Sequence, residues 1–270
     1  MRVGFIGLGF QGKPLARNIL AAGYPLAVHD LWDAPVRELA AEGAVAARSP
    51  AEVAAQSDLV IVCVVDDAQV MEVLDGPDGV FGAAVKGQIV AVHSTILPET
   101  MEKAAALAKE RGIALVDAPV SGSAKGAEEK TMSFMVGGPA EAVEQCLPVF
   151  RVSGSTITLT GGVGTATSAK IAHQLICCVN MMAVAEGLRL GQAAGVSRDV
   201  LLEVFHGGFA QSRAAEMWPE LDLHPRATPI FHKDLKAALA LGHQVDVALP
   251  AAALVQQMLS QILPRIEKDK

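Results

Sequence analysis

Apolar and polar positions follow two rhythms along the first part of the chain. Short apolar runs recur at Arg2–Ile6 (RVGFI), Pro25–His29 (PLAVH), Asp58–Val65 (DLVIVCVV), Gln88–Val92 and Ile113–Val116. DLVIVCVV is apolar at almost every position, which is expected of a parallel strand covered on both faces. Between these runs the apolar spacing is helical: PLARNILAAG ending at Gly23, residues 34–42 and 51–56, DDAQVMEVLDG ending at Gly76, and residues 99–110. Strands alternating with helices predict a parallel, doubly wound sheet. Two more strands, Thr131–Val136 and Thr156–Leu159, flank a predicted helix over 139–147.

The rhythm changes at GGVGTATSAKIAHQLICCVNMMAVAEGLRLGQAAGV, residues 161–196. This stretch has no proline and is rich in Ala, Leu, Met, Ile and Gln, so its helix propensity is high. It is apolar on nearly every side, which predicts a helix buried all round. At ~1.5 Å per residue, some thirty residues reach roughly 45 Å. That is too long for one layer of a small domain and predicts a spine over about 164–194 joining two domains. His173, Gln174, Asn180, Glu186 and Arg189 interrupt it, which argues against a membrane span. Beyond it the pattern is helical over 198–205, 212–221, 232–242 and 250–263. Gly207–Gly208, Pro225, Pro229 and Pro250 punctuate these helices.

Composition narrows the class. The 270 residues are 51% hydrophobic and only 4% aromatic, so the core is built from Ala, Val, Leu and Ile. A net charge of −7 without a basic run argues against nucleic acid or an anionic membrane as partner. The first strand begins at Arg2, where no signal peptide fits, so a cytoplasmic protein is expected. Cys63, Cys146, Cys177 and Cys178 show neither CxxC nor zinc spacing. They read as reduced, buried thiols, and no metal site is expected.

The first strand runs straight into GLGFQG, which places Gly7, Gly9 and Gly12 in the G-x-G-x-x-G pattern. Strand, glycines, helix, second strand and acid follow in the order that dinucleotide binding requires. Gly7 allows the tight turn, Gly9 lets backbone approach a pyrophosphate, and Gly12 lets helix and strand pack closely. The helix N-terminus then faces the phosphates. Asp30 closes the second strand, where a carboxylate binds ribose hydroxyls and repels a 2′-phosphate. No basic residue follows before Arg37, which favours NAD over NADP. The chain therefore reads as α/β: a Rossmann doubly wound domain over 1–161, then an all-helical domain over 162–270 that includes the long interdomain helix.

Lys170, His173 and Gln174 are spaced i, i+3, i+4 and share one helix face. A cation near a helix N-terminus opposes the macrodipole, which favours the neutral form that proton transfer needs. The bland alternative is a lysine extending to the surface. Ser121–Gly126 is a small-residue loop whose backbone N–H groups suit an anion, or else an ordinary connection. Lys233 is read as lying in a helix start, where the dipole again disfavours its charge, or as a solvated helix residue.

Four blocks in this order resemble the β-hydroxyacid dehydrogenase family, whose members include 3-hydroxyisobutyrate dehydrogenase, tartronate semialdehyde reductase and L-threonate dehydrogenase. GLGFQGKPLARNIL resembles the N-terminal fingerprint, DAPVSGSAKGA the substrate loop, GVGTATSAKIAHQ the catalytic block, and FHKDLKAAL the late KDL block. The resemblance covers nearly the whole chain. It implies that Lys170 is the catalytic acid and base, and that Ser121, Gly122, Ser123, His173, Gln174 and Lys233 bind substrate. The implied cofactor set is Gly7, Leu8, Gly9, Phe10, Gln11, Gly12, Asp30, Leu31, Val64, Val65, Asp66, Gln69, Thr95 and Lys233. The expected reaction is NAD-dependent hydride transfer between a short β-hydroxy acid and its semialdehyde or keto acid, in a homodimer or homotetramer. Ser123 stands where the family usually has glycine, Val65 where it has proline, His93 where it has aspartate and His173 where it has asparagine. The KxxHQ block is similar to L-threonate dehydrogenase-like members and implies either a polyhydroxylated or otherwise altered acid, or a histidine that only replaces asparagine as a hydrogen-bond donor. An imine reductase-like enzyme and a non-catalytic NAD-binding protein remain the alternatives; Lys170 and Asp30 count against the first, and Lys170, Lys233 and the serine loop against the second.

Overall fold

Six strands run parallel in the order β3-β2-β1-β4-β5-β6 in the computed structural model, which describes residues 1–220 and 227–268. They are β1 Val3–Ile6, β2 Leu26–His29, β3 Val45–Ala46, β4 Leu59–Val62, β5 Ile89–Val92 and β6 Ala114–Asp117. The helices α1 Gly12–Ala21, α2 Asp33–Ala41, α3 Pro50–Ala55, α4 Asp67–Asp75, α5 Val80–Ala83 and α6 Pro98–Glu110 alternate with them. The order reverses between β1 and β4, as in a dinucleotide-binding sheet. Phe5, Val28, Leu59 and Ile61 enter one apolar cluster, while Ile6, Val60, Val62 and Val90 enter another. Both faces of the central strands β1, β4 and β5 are covered, which is why these three carry no polar side chain.

The sheet continues differently from the all-parallel expectation. After β6 come β7 Val120–Ser121, α7 Ser123–Glu128, β8 Met132–Gly137, α8 Ala140–Phe150 and β9 Gly154–Gly161. β6 and β7 lie along the same edge of β8 in one antiparallel register, with Asp117 opposite Gly137 and Val120 opposite Phe134. β9 runs parallel to β8. The short elements β3, α5, β7 and α7 escaped the sequence reading because none is long enough to show a period.

The chain divides into two compact units, Met1–Lys170 and Ile171–Lys270. The division falls inside α9 Thr165–Ala193, which runs from one unit into the other. The second unit adds α10 Arg198–His206, α11 Arg213–Met217 with a 3₁₀ turn at Trp218–Glu220, α12 Ala227–Gln244 and α13 Pro250–Lys268. Ser197 and Ser212 cap α10 and α11 through their hydroxyls. Leu221 and Pro225, assigned from sequence to a helix end and a break, lie outside the described residues. Met181, Leu188, Leu202, Trp218, Leu235 and Val255 belong to the core of this unit.

By length and composition α9 could cross a membrane. Its burial is that of a core helix with one open side. Lys170, Ile171, Gln174, Cys178, Met181, Ala185 and Leu188 are buried, whereas His173, Ile176, Glu186 and Leu190 are exposed. The expectation of burial all round is therefore corrected, because the exposed side carries apolar as well as polar residues. The cysteines are free thiols. Burial pushes Cys63 and Cys146 up to about 12, which keeps them unreactive.

His93 is buried among aromatic rings, 5.5 Å from Phe134, 5.3 Å from Phe150 and 6.3 Å from Phe5 between centroids. Its ring bonds the Ala118 backbone, and its Nδ1 is buried without a partner. Burial lowers its pKa from 6.5 to about 4. The unfolded chain therefore takes a proton that the folded protein refuses. Stability is full above the unfolded value and is lost as pH falls toward the folded one. Between pH 7.5 and 5 this one residue should remove about 2 kcal/mol. Urea unfolding of wild type and His93→Gln at both pH values tests it. The variant should lose that part of the slope, and equal slopes would exclude His93 as its source.

Candidate active site

Strand register builds one edge. Ile6 lies beside His29 and Val62, Val62 beside Val92, and Val92 beside Asp117. The next residues, Asp30, Gly7, Cys63, His93 and Ala118, therefore form a row at the carboxyl ends of five strands. Ligands of open parallel sheets bind there.

The three glycines have three different reasons. Gly7 has φ +94°, and a Cβ there would lie 2.3 Å from the Cys63 carbonyl oxygen. A Cβ on Gly12 would fall 1.9 Å from the Gly7 oxygen, so helix and strand pack backbone to backbone. Before Gly9 there is open space. α1 starts without a capping side chain or an acidic residue in its first turn, which leaves its amides to an anion. Asp30 is already anchored: Oδ2 accepts from the Leu8 amide at 2.5 Å and Oδ1 from the Trp32 amide at 2.8 Å. Each carboxylate oxygen keeps a second lone pair for a ribose hydroxyl. Phe10 and Leu31 are exposed beside this loop. These features fit a dinucleotide.

The β4 and β5 ends are tied together. The Val64 amide donates to Ser94 Oγ at 2.9 Å, and the Val65 amide to Gln69 Oε1 at 3.1 Å. Asp66 caps α4 by accepting from the Gln69 amide at 2.9 Å. Asp66 and Gln69, read from the sequence as cofactor contacts, thus also shape the turn that presents Val64 and Val65. Thr95 follows Ser94 and is half-buried.

Ser121 ends β7, and the chain then turns sharply. Gly122 has φ +146°, and a Cβ there would meet Met132 Sδ at 2.6 Å. Ser123 has φ +59°, the left-handed region that glycine enters without cost. That explains the family's usual glycine at this position.

Lys170 is 5% exposed and Gln174 8%, so neither is a surface side chain. One turn before Lys170, the buried Asp117 accepts at Oδ2 from the amides of Gly164 at 3.0 Å and Thr167 at 2.9 Å. Burial holds its carboxyl above the ordinary aspartate value, against the lowering pull of those donors. Sequence reasoning missed this contact. One signal was present: Gly164, at the N-cap position, has no side chain with which to cap the helix.

In the second unit, Gln174 Nε2 donates to Asp234 Oδ2 at 2.6 Å, and Lys233 Nζ lies 2.9 Å from Asp234 Oδ1. The lysine contact is an ion pair rather than an aligned hydrogen bond. With its amide nitrogen on Asp234, Gln174 turns its oxygen to His173 Nδ1 at 3.1 Å. The proton of a neutral His173 ring therefore sits on Nδ1. Lys233 is not in the first turn of its helix, since α12 begins at Ala227. Its charge is balanced by Asp234, not disfavoured by a dipole, and at 24% side-chain exposure it is not a solvated helix residue. Asp234 was not recognised in the sequence, where KDL drew attention to the lysine.

Comparison with known proteins matches the chain in two parts that meet near residue 163. Residues 2–162 match the family described as the NAD binding domain of 6-phosphogluconate dehydrogenase. Residues 164–270 match that described as NAD-binding of NADP-dependent 3-hydroxyisobutyrate dehydrogenase. The chain is 37% identical to 2-hydroxy-3-oxopropionate reductase of Escherichia coli, over 96% of this chain and 90% of that one. It is 36% identical to 2-(hydroxymethyl)glutarate dehydrogenase of Eubacterium barkeri, over 96% of this chain and 88% of that one. Among solved structures, a 3-hydroxyisobutyrate dehydrogenase from Salmonella typhimurium superposes with a TM-score of 0.86 at 32% identity, covering 97% of this chain and 93% of that one.

A left-handed non-glycine residue costs about 1–2 kcal/mol, and glycine gives back roughly 0.5–1 in chain entropy. Ser123→Gly should therefore raise the thermal unfolding midpoint by about 1–3 °C in calorimetry. A lowered midpoint would mean that the serine makes a contact worth more than its strain.

Proposed function

The chain belongs to the β-hydroxyacid dehydrogenase family and is an NAD-dependent oxidoreductase, and from that premise we propose that it interconverts a short β-hydroxy acid and its semialdehyde or keto acid with Lys170 as general acid and base. The observation that carries this is the burial of Lys170, one turn inside a helix whose start is fastened to the carboxyl edge of the sheet. A lysine is rarely buried without a charged or chemical task.

Bound NAD supplies the hydride acceptor or donor. The residues that would hold it are the glycine loop, the first amides of α1 and Asp30, with Val64, Val65 and Thr95 on the neighbouring loops. Lys170 takes the hydroxyl proton during oxidation and returns it during reduction. The Ser121–Ser123 turn offers hydroxyls and amides to the substrate carboxylate, and Lys233 adds a cation balanced by Asp234. His173 and Gln174 contribute the polar face that selects the rest of the acid. A histidine in place of asparagine favours an acid with a further hydroxyl, as the relatives that act on 2-hydroxy-3-oxopropionate and 2-(hydroxymethyl)glutarate already favour short hydroxylated anions. An imine reductase-like reading has less support, because such enzymes generally lack the lysine and prefer NADPH.

The test is initial rates with NAD⁺ and NADP⁺ against L-threonate, D-glycerate, 3-hydroxyisobutyrate, 3-hydroxypropionate and a sulfonate analogue. One acid should turn over with NAD⁺, and Lys170→Ala should lower kcat by about 10²–10⁴-fold. Asp30→Ala should narrow the NAD⁺ preference by removing the charge that repels a 2′-phosphate. Retained turnover in Lys170→Ala would refute the mechanism, and better use of NADP⁺ by wild type would refute the reading of Asp30.

We place the protein in the cytoplasm as a homodimer or homotetramer. The exposed apolar residues Ile176, Leu190, Val200, Val204 and Phe209 of the second unit support self-association. Light scattering should give a dimeric or tetrameric mass, and a monomer would remove the claim.

A further inference from the structure

α3 and α4 bring their own caps, Ser49 and Asp66. α9 does not, because Gly164 has no side chain to take the Thr167 amide. The acceptor arrives from 47 residues upstream, where Asp117 ends β6. Its Oδ2 holds the Gly164 and Thr167 amides. Asp117 has no exposed surface, and its Oδ1 is buried without a partner. Gly137 packs directly on this joint, since a Cβ there would lie 2.7 Å from Asp117 Oδ1 and 2.6 Å from the Gly162 oxygen. Thr167 and Lys170 are i, i+3 neighbours on one helix face.

We propose that Asp117 is a positioning residue for Lys170, fixing the rotation and register of the first turn of α9 and setting a negative charge at the helix start, one turn before Lys170 along the chain. This rests on the reading of Lys170 as the proton-transfer group. A slip of one residue would turn the helix by about 100° and shift it ~1.5 Å, enough to take Lys170 out of reach of a substrate hydroxyl. The charge acts separately from the geometry. The helix N-terminus alone disfavours a protonated lysine, and the carboxylate opposes that effect. Residue 117 thus acts on Lys170 through its charge as well as through the helix turn it holds.

The experiment is the pH dependence of kcat and KM for oxidation of the best acid, in wild type, Asp117→Asn, Asp117→Ala and Lys170→Ala. NAD⁺ affinity and melting are measured alongside. Asp117→Asn keeps an acceptor oxygen but no charge, so the acid limb of kcat should move to lower pH by about 1 unit. Asp117→Ala also loses the acceptor, and its kcat should fall about tenfold or more across the profile while KM changes little. NAD⁺ affinity should stay within about twofold in both, as the dinucleotide loop is a separate site. An inactive Lys170→Ala beside wild-type kcat and an unshifted limb in both Asp117 variants overturns this proposal alone. A limb moved to higher pH, or a loss confined to melting temperature, overturns it equally. Activity surviving in Lys170→Ala overturns the reading beneath it. If Asp117→Ala does not fold, Asp117→Asn carries the test by itself, and wild-type kcat with an unmoved acid limb there overturns the proposal.

Discussion

A parallel sheet buried on both faces leaves its carboxyl edge for chemistry. Phe5 and Ile61 fill one side and Ile6 and Val60 the other, so the strands themselves have no room for polar side chains. Polar groups appear where the strands stop. There they serve the loops that lead away, because an exposed loop needs fixed points to hold a reactive geometry. Asp30 takes the amide that follows Gly7, Ser94 takes the amide that follows Cys63, and Asp117 takes the first amides of α9. Each bond crosses from one strand end to a loop rooted elsewhere in the unit, so the edge is held as a connected surface.

The second unit solves the same problem with helices. Asp234 is almost fully buried and bonds one residue on α9 and one on its own helix, Gln174 and Lys233. A buried carboxylate without partners would be costly, so this pairing is as much a condition of folding as of function. It also orders a chain of orientations: Asp234 sets the Gln174 amide, and Gln174 sets the tautomer of His173. Along α9, then, Lys170 is one turn from a joint made by one aspartate, and Gln174 meets another. The two carboxylates come from different units and reach the same continuous helix.

The departures from the family pattern have local physical accounts at three positions. Ser123 keeps a left-handed backbone that glycine would adopt freely. Val65 donates its amide to Gln69, a bond proline cannot make, so the turn is held by a side chain instead of a fixed ring. His93 sits in an aromatic pocket where a carboxylate would be poorly solvated, and there it stays neutral. His173 is different, being exposed and bonded to its neighbour Gln174 rather than packed into a core.

The sequence by itself determined everything governed by short-range pattern. Apolar runs gave the strands, helical spacing gave the helices, and the placement of Gly7, Gly9, Gly12 and Asp30 gave the dinucleotide loop, because each depends on residues within one βαβ unit. Lys170 and Gln174 could be placed on one face for the same reason, since helix geometry is local. Tertiary structure decided what depends on partners far away in the chain. The antiparallel turn of the sheet at β8 depends on how strands meet, and β7 and α7 are too short to show a period. The open side of α9 depends on what packs against it, which an all-round apolar sequence does not specify. Asp117 is 47 residues from Gly164 and Asp234 is 60 from Gln174. At such separations spacing along the chain carries no information about contact, so only the folded packing shows that these two carboxylates hold the helix bearing the lysine.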